Sequence, residues 1–289
     1  VYEDVMVNVL AVPVRLGRKT ERERFAGATT SWTCEGTMGD GKALQMATSH
    51  ELGQNFARAF GTQYQADDGT LVHVWQTSWG ASTRLLGALI MAHGDDAGLR
   101  LPPAIAPVQV AVLLVRDEGG AGERASSIAA DLRAGGHRVQ LDDRVSTSFG
   151  RRAVEWELKG APVRVEVGPR DLADGLVTLV TRHDGAKSPV PVAEVGGRVA
   201  AALAAAQAAL LAQATELRDA RTTDVQTVDE AAEAARSGFA RLPWGAVGPG
   251  GEARLAEAGA SVRCLQRPDG SLAPPGDDDG LVAYVARAY

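Results

Sequence analysis

Cysteine is nearly absent from this 289-residue chain: Cys34 and Cys264 stand alone, far apart and without neighbouring ligand-type residues. That excludes a disulfide framework and a cysteine metal knuckle, and suits a reducing, cytoplasmic compartment. No run approaches the roughly 18 consecutive apolar residues of a membrane span. The opening VYEDVMVNVL has neither the basic start nor the cleavage site of a signal peptide. Net positive charge is missing too. A formal charge of −6 argues against sequence-blind binding of nucleic acid over the whole surface, so any such contact has to be local. The first residue is Val1 and not methionine, which reads as a fragment or a processed chain.

What is present is enough apolar material, 45 % of residues, for two domains or for one large and two small ones. Residues 1 to 13 read as the end of a helix stopped by Pro13, and Leu16 to Phe25 as a charged loop. Two β-type runs, Thr29 to Glu35 and Lys42 to Thr48, flank the turn Gly39-Asp40-Gly41. Helices are expected at Glu51 to Phe60 and Thr83 to His93, with a strand at Leu71 to Thr77 between them. After Pro102, Pro103 and Pro107, Gln109 to Val115 has the length and continuity of a buried strand. A helix near Gly122 to Ala134, strands near Val139 to Leu141, Val163 to Val167 and Val177 to Thr181, and a helix from about Glu194 then imply a small α/β domain. The alanine-rich Val199 to Leu217 reflects helix propensity. A last module shows a helix at Val228 to Arg236 and strands near Phe239 to Trp244 and Leu281 to Ala286.

Three segments carry chemistry. GRKTERERFAGA, Gly17 to Ala28, mixes cations and anions beside Phe25, and taken alone is a solvated loop. In KALQMATSHELGQNF, Lys42 to Phe56, Gln45 and Thr48 are an odd number apart, so a regular strand puts them on opposite faces; sharing a face needs an irregularity near Met46-Ala47. His50, taken singly, is more often a structural histidine than a ligand. In VWQTSWGASTRLLGALIMAHGDDAGLRLPP, Val74 to Pro103, the lone cation Arg84 opens an apolar helix. It has to be paired or to face an anion, and a ligand phosphate and a salt bridge to Asp95 or Asp96 are close alternatives.

These three segments, in order, resemble the second half of the catalytic domain of archaeal and eukaryotic-type proline-tRNA ligases, and the last resembles motif 3 of class II aminoacyl-tRNA synthetases. The resemblance runs from Val1 to about residue 185. It implies that Arg84 grips the γ-phosphate end of a bent ATP, that Gln45 and Thr48 contact the adenosine, and that Phe25, His50, Trp79 and Gly80 line a proline pocket. The implied reaction is formation of prolyl-adenylate with Mg²⁺, then transfer to tRNA(Pro), by positioning and charge stabilisation without a protein nucleophile. The family's motifs 1 and 2 precede the stretch matched here. Motif 1 also builds the family's homodimer, and without it neither dimerisation nor adenylation by this chain alone is expected. Ala47 stands where the family usually has glycine.

WELKGAPVRVEVGPRD, Trp156 to Asp171, resembles the family's anticodon-binding domain, which implies that Arg164, Glu166 and Arg170 read guanine edges and that Lys159 meets the backbone. Without the resemblance, Arg164 and Glu166 are a solvated strand face. Upstream, Gly150 is followed by Arg151 where the family usually has Gly-Trp-Lys. The tail resembles the subtype's C-terminal domain, which often holds zinc with four cysteines; only Cys264 is present and no histidine follows His183, so zinc is not expected. A final tyrosine, here Tyr289, is also common in the family.

The expected architecture is α/β (α+β). Residues 1–104 form part of an antiparallel class II catalytic domain, 105–200 a mixed α/β anticodon-binding domain, and 201–289 a small α+β domain. Partners are ATP, L-proline and tRNA(Pro), with no membrane. The competing reading is a non-catalytic synthetase paralogue that binds tRNA or regulates.

Overall fold

The structure is a computed structural model that describes residues 1–289. The chain opens with a helical turn, α1 (Tyr2–Asp4), that runs into a π-helical turn at Val5–Val9. Strand β1 (Val14–Arg18) follows, then β2 (Thr30–Thr37) and β3 (Ala43–Gly53), antiparallel throughout. The start of the expected charged loop is therefore strand, because the backbone of Leu16 to Arg18 is paired with β2 on one side while Arg18 pairs with Leu265 on the other. The β2–β3 hairpin turns on Gly41, whose φ of +87° and whose closeness to the Ser237 carbonyl leave no room for a Cβ. Helix α2 (Asn55–Phe60) is shorter than expected because β3 continues to Gly53. The next apolar run divides into β5 (Leu71–His73), paired with β4 (Gln63–Gln65), and β6 (Gln76–Ala81), which joins the main sheet beside β3. Helix α3 (Arg84–His93) leaves that sheet.

From β7 (Val110–Leu114) a five-stranded sheet is built with the helices α4 (Ala121–Ala134) and α5 (Phe149–Leu158) and the strands β8 (Val139–Asp142), β9 (Val163–Val167), β10 (Leu176–Thr181) and β11 (Lys187–Pro191). Its order is β11-β10-β9-β7-β8, parallel from β9 to β8 and antiparallel beyond. Between β9 and β10 lies the short helix α6 (Pro169–Ala173), and α7 (Val195–Ala220) follows β11. One sheet face buries Val110, Val112, Val163 and Val165 against Ile128, Leu132, Val199 and Leu203 from α4 and α7; the other carries Ala111 and Leu113 against Trp156 of α5. By length and composition α7 could cross a bilayer, although it holds no long run of large apolar residues. Val195, Val199 and Leu203 on one side of it pack in this core.

Helix α5 has no counterpart in the sequence reading. Its buried anchor is charged: Arg152, with no exposed surface, donates to the carbonyls of Leu114 (2.7 Å), Asp142 (3.1 Å) and Thr147 (3.0 Å) and meets the Asp142 carboxylate. Burial pushes the Asp142 carboxyl up, but hydrogen bonds from Arg144 and from Trp156 Nε1, the latter at 2.8 Å, outweigh it and hold the group well below the usual carboxylate range.

The C-terminal stretch carries β12 (Thr222–Asp224), α8 (Val228–Ala234), β13 (Phe239–Pro243), α9 (Trp244–Glu257), β14 (Ser261–Gln266) and β15 (Val282–Ala286). A capping box starts α8, with Thr227 and Glu230 each satisfying the other's backbone N–H. Gly248 and Pro249 break α9. These strands extend the first sheet to eight, in the order β12-β13-β15-β14-β1-β2-β3-β6, so the first and last stretches of the chain share one sheet. The chain divides into two compact units: Val1–Met6 with Pro13–Ala88 and Thr215–Tyr289, and Val7–Val12 with Leu89–Ala214. The class is mixed α/β, and most strand pairs are antiparallel.

Candidate functional site

The first unit's site starts from a bulge. Along β2 and β3, Cys34 faces Ala47 and the next pair is Glu35 with Gln45, so Met46 is the extra residue. Directly opposed residues share a face, and Thr33 pairs with Thr48. Thr33 and Glu35 lie on one face, as the 2.7 Å hydrogen bond from Thr33 Oγ1 to Glu35 Oε1 shows. Gln45 and Thr48 therefore share that face, and the irregularity required by their odd spacing is present at Met46.

Gly80 pairs with Thr48, and its missing side chain leaves open space: a Cβ there would meet no atom within 4 Å. Gln45, Thr48, Gly80, Ser82 and Arg84 line a groove of about 250 Å³. Arg84 is exposed, donating Nη1 to the Gln45 carbonyl at 3.2 Å. Its guanidinium makes no ion pair with Asp95 or Asp96, and Asp95 is engaged by Arg182. A guanidinium with most of its donors unused at the mouth of a groove is suited to phosphate oxygens.

Further along the same face, His50 pairs with Ser31 and with Ser78. Phe25 folds back over it, ring centroids 4.9 Å apart, and continues into a stack with Phe56 at 6.2 Å and Phe60 beyond. Gly27 allows this fold-back, since at φ +90° a Cβ would strike the Phe56 ring. Partial burial lowers the His50 pKa, which favours the neutral ring. Trp79 is not brought to this wall. It pairs with Ser49, so strand alternation sends it to the opposite face, where its ring meets Tyr2 edge-on at 6.3 Å. Ser78, which the sequence reading passed over, takes the place beside His50; its parity with His50 becomes visible only once the strand register is known.

On the same face, beside the groove, Glu35 has no exposed surface and is tied to Lys19 Nζ at 2.8 Å and to Arg263 Nε at 3.1 Å. Arg263 comes from β14, so the end of the chain helps to fix the strand that opposes Gln45. Its cysteine neighbour Cys264 is a packing residue, its thiol pushed by burial up to about 12. Tyr289 also returns to this unit, at the β2–β3 turn, where its hydroxyl donates to Asp40 Oδ2 at 2.6 Å.

In the second unit Arg164 and Glu166 share one face of β9 and engage each other, Nε to Oε1, at 2.8 Å. Both are more than nine-tenths buried, which rules out a freely solvated face. Lys159 lies apart from them, donating to Glu155 at 2.7 Å over the Trp156 ring, and Arg170 is exposed on α6.

A family model described as an anticodon binding domain matches residues 109–201. A proline-tRNA ligase of Frankia casuarinae is 61 % identical over 290 residues, covering all of this chain and 62 % of that protein. Among solved structures, prolyl-tRNA synthetase from Cryptosporidium parvum complexed with halofuginone and AMPPNP superposes with a TM-score of 0.87 at 29 % identity, covering 100 % of this chain and 63 % of that one. The same enzyme complexed with L-proline and AMP gives 0.85 at 29 % identity, with 64 % of it covered. The chain is thus similar along its whole length to proline-tRNA ligases, and it spans a little under two thirds of the length of these relatives.

Proposed function

We propose that this chain supplies the motif 3 side of the catalytic centre and the anticodon-binding domain of an enzyme that joins L-proline to tRNA(Pro) at the expense of ATP. The observation that carries the reading is the bulge at Met46, which gathers Gln45, Thr48, Gly80 and Arg84 around one groove. In this reading Gln45 and Thr48 hold the adenosine and Arg84 grips the γ-phosphate. Phe25 and His50, with Ser78, form a wall against the pyrrolidine ring, and Gly80 keeps the floor between the two subsites open. A carboxylate oxygen of proline attacks the α-phosphorus and pyrophosphate leaves; a hydroxyl of the terminal tRNA ribose then attacks the carbonyl carbon and AMP leaves. No side chain in the groove is needed as a nucleophile, so the chain's contribution is alignment and charge stabilisation.

No group of three or more His, Cys, Asp or Glu side chains is arranged to hold a metal. Glu35 is already neutralised by Lys19 and Arg263. Mg²⁺ would fit only as a companion of the nucleotide phosphates, and would supply positive charge there. In the second unit Arg164 and Glu166 read anticodon guanines from a mutually aligned pair, with Arg170 of α6 as a further reader and Lys159 on the backbone. The working compartment is the cytoplasm. The test joins the chain to the remaining part of the Frankia sequence and measures ATP-pyrophosphate exchange. Exchange that requires proline, and that the chain alone does not support, is expected; exchange indifferent to which amino acid is supplied overturns the reading.

A further inference from the structure

The hydroxyl of Ser31 sits at a junction. Ser31 is 1 % exposed, its Oγ lies 2.7 Å from His50 Nδ1, and it accepts the Phe25 backbone N–H at 3.3 Å. A buried hydroxyl has one proton to place, and leaving it unpaired costs about 1–3 kcal/mol. Ser31 makes no other side-chain hydrogen bond, so the Nδ1 lone pair is the acceptor for that proton. If Nδ1 carried the hydrogen instead, Oγ would accept from both Phe25 and His50 and its own proton would be orphaned. No protein group bonds Nε2, at the far end of a ring that is only partly buried.

We propose that Ser31 is a positioning residue that fixes His50 as the neutral tautomer protonated at Nε2, so that the pocket beside Phe25 is given a hydrogen-bond donor. The same hydroxyl ties the Phe25 backbone to the His50 ring, so one atom sets both the orientation of the histidine and the return of the aromatic that packs over it. A wall built this way favours a ligand that brings an acceptor oxygen beside an apolar ring, and it disfavours one that brings an ammonium to Nε2. On the functional reading given above, which this part of the inference rests on, that acceptor is a carboxylate oxygen of the amino-acid substrate.

The test uses the chain itself, ¹⁵N-labelled at its five histidines, at a pH above the histidine range. His50→Gln assigns the resonances. Two-bond proton-nitrogen correlations are expected to show His50 with an unprotonated, hydrogen-bonded Nδ1 and a proton on Nε2. Ser31→Ala should move the Nδ1 resonance to that of a free acceptor while the other four histidines keep theirs, which reports that the fold is intact. Ser31→Thr, which keeps the hydroxyl, should restore the parent signal. A proton on Nδ1, or an Nδ1 resonance unmoved in Ser31→Ala with the fold intact, overturns the proposal. In the completed enzyme Ser31→Ala should raise the KM for proline by up to about tenfold, the loss of one hydrogen bond, and leave that for ATP unchanged. The ligand-free spectra judge the tautomer independently, so a proline KM that stays put would refute only the assignment of the acceptor.

Discussion

Replacing Arg263 with methionine tests whether the C-terminal stretch holds in place the strand that opposes Gln45. The guanidinium reaches Glu35 Oε2 through Nε and Nη2, both at 3.1 Å, and Lys19 Nζ meets Oε1 at 2.8 Å. Side-chain exposure is 0 % for Glu35, 3 % for Lys19 and 9 % for Arg263, so none of the three is bathed in water. Removing one partner of a buried ion pair costs about 3–5 kcal/mol, mostly the penalty of leaving a charge without compensation. Lys19 and Thr33 stay on Glu35, which puts the expected loss near the lower end, about 3 kcal/mol. For a unit of this size, each kcal/mol moves the melting temperature by roughly 2–4 °C, so the unit should melt some 6–12 °C lower. Methionine keeps most of the side-chain volume, which confines the change to the polar partners of the guanidinium, Glu35 first and then Ser261 and Glu23. The assay is urea unfolding followed through the tryptophans, in a double-mutant cycle with Glu35→Gln, where a coupling of about 2 kcal/mol is expected for groups in one network. Added salt should leave that coupling in place, because a buried pair is poorly screened. A variant within about 0.5 kcal/mol of the parent, or a coupling that vanishes in salt, would refute the reasoning.

Arg84→Ala in the completed enzyme should lower proline-dependent pyrophosphate exchange by about 10²–10³ through loss of a charge-stabilising donor, yet leave the melt unchanged, since Arg84 is exposed and bonds only the Gln45 carbonyl; equal exchange would remove its assigned role. Gly80→Val should place its side chain in the open groove, leaving stability within about 0.5 kcal/mol and abolishing nucleotide binding measured by calorimetry. Glu166→Gln should weaken discrimination against altered anticodon guanines by about 1–3 kcal/mol per base, with a smaller effect on total tRNA affinity, in binding titrations at two salt concentrations. Burial lowers the His93 pKa, reinforced by Arg100 and opposed by the Leu10 carbonyl that accepts from its Nε2 at 2.9 Å. A depressed folded pKa means that its stability contribution is full above the ordinary histidine value of about 6.5 and is lost as pH falls through the folded value. Melts from neutral to acid pH should show this limb flattened in His93→Gln.

The parts of the fold legible in the sequence are those in which a single period governs the side chains. The runs at Val110 to Leu114 and Val163 to Val167, and the helical spacing of Leu85, Leu86, Leu89 and Ile90, name their elements directly. Helix α5 was hidden because its burial runs through a guanidinium: Arg152, in a stretch that reads RRAVEWEL, looks like a surface cation until its four oxygen partners are seen. Residues Leu16 to Arg18 were hidden for a different reason. Strand in β1 is imposed by neighbours more than a dozen residues away on one side and some 250 away on the other, and local propensity carries no trace of such partners. The joining of the first and last stretches into one sheet is non-local in the same way.

The site was legible in its residues but not in its faces. Parity along β3 demanded an irregularity between Gln45 and Thr48 if the two were to share a face, and the demand could be stated because the resemblance assigns both to one nucleotide. No such demand was available for Trp79, which sits next to Gly80 in the chain but, by the same alternation, one face away from it in space. A bulge changes the parity of everything beyond it by one, so a single extra residue at Met46 decides whether Gln45 joins Thr48 and His50 or is turned away from them. Ser31 shows the limit of that logic. It was one small polar residue in a β-type run, and only the pairing of β2 with β3 sets it against His50. Only the fold-back of Phe25 gives its oxygen a second partner, and so a direction for its proton. What the sequence supplies is the set of groups able to bind; the register of two hairpins converts that set into one groove with a donor at a chosen atom.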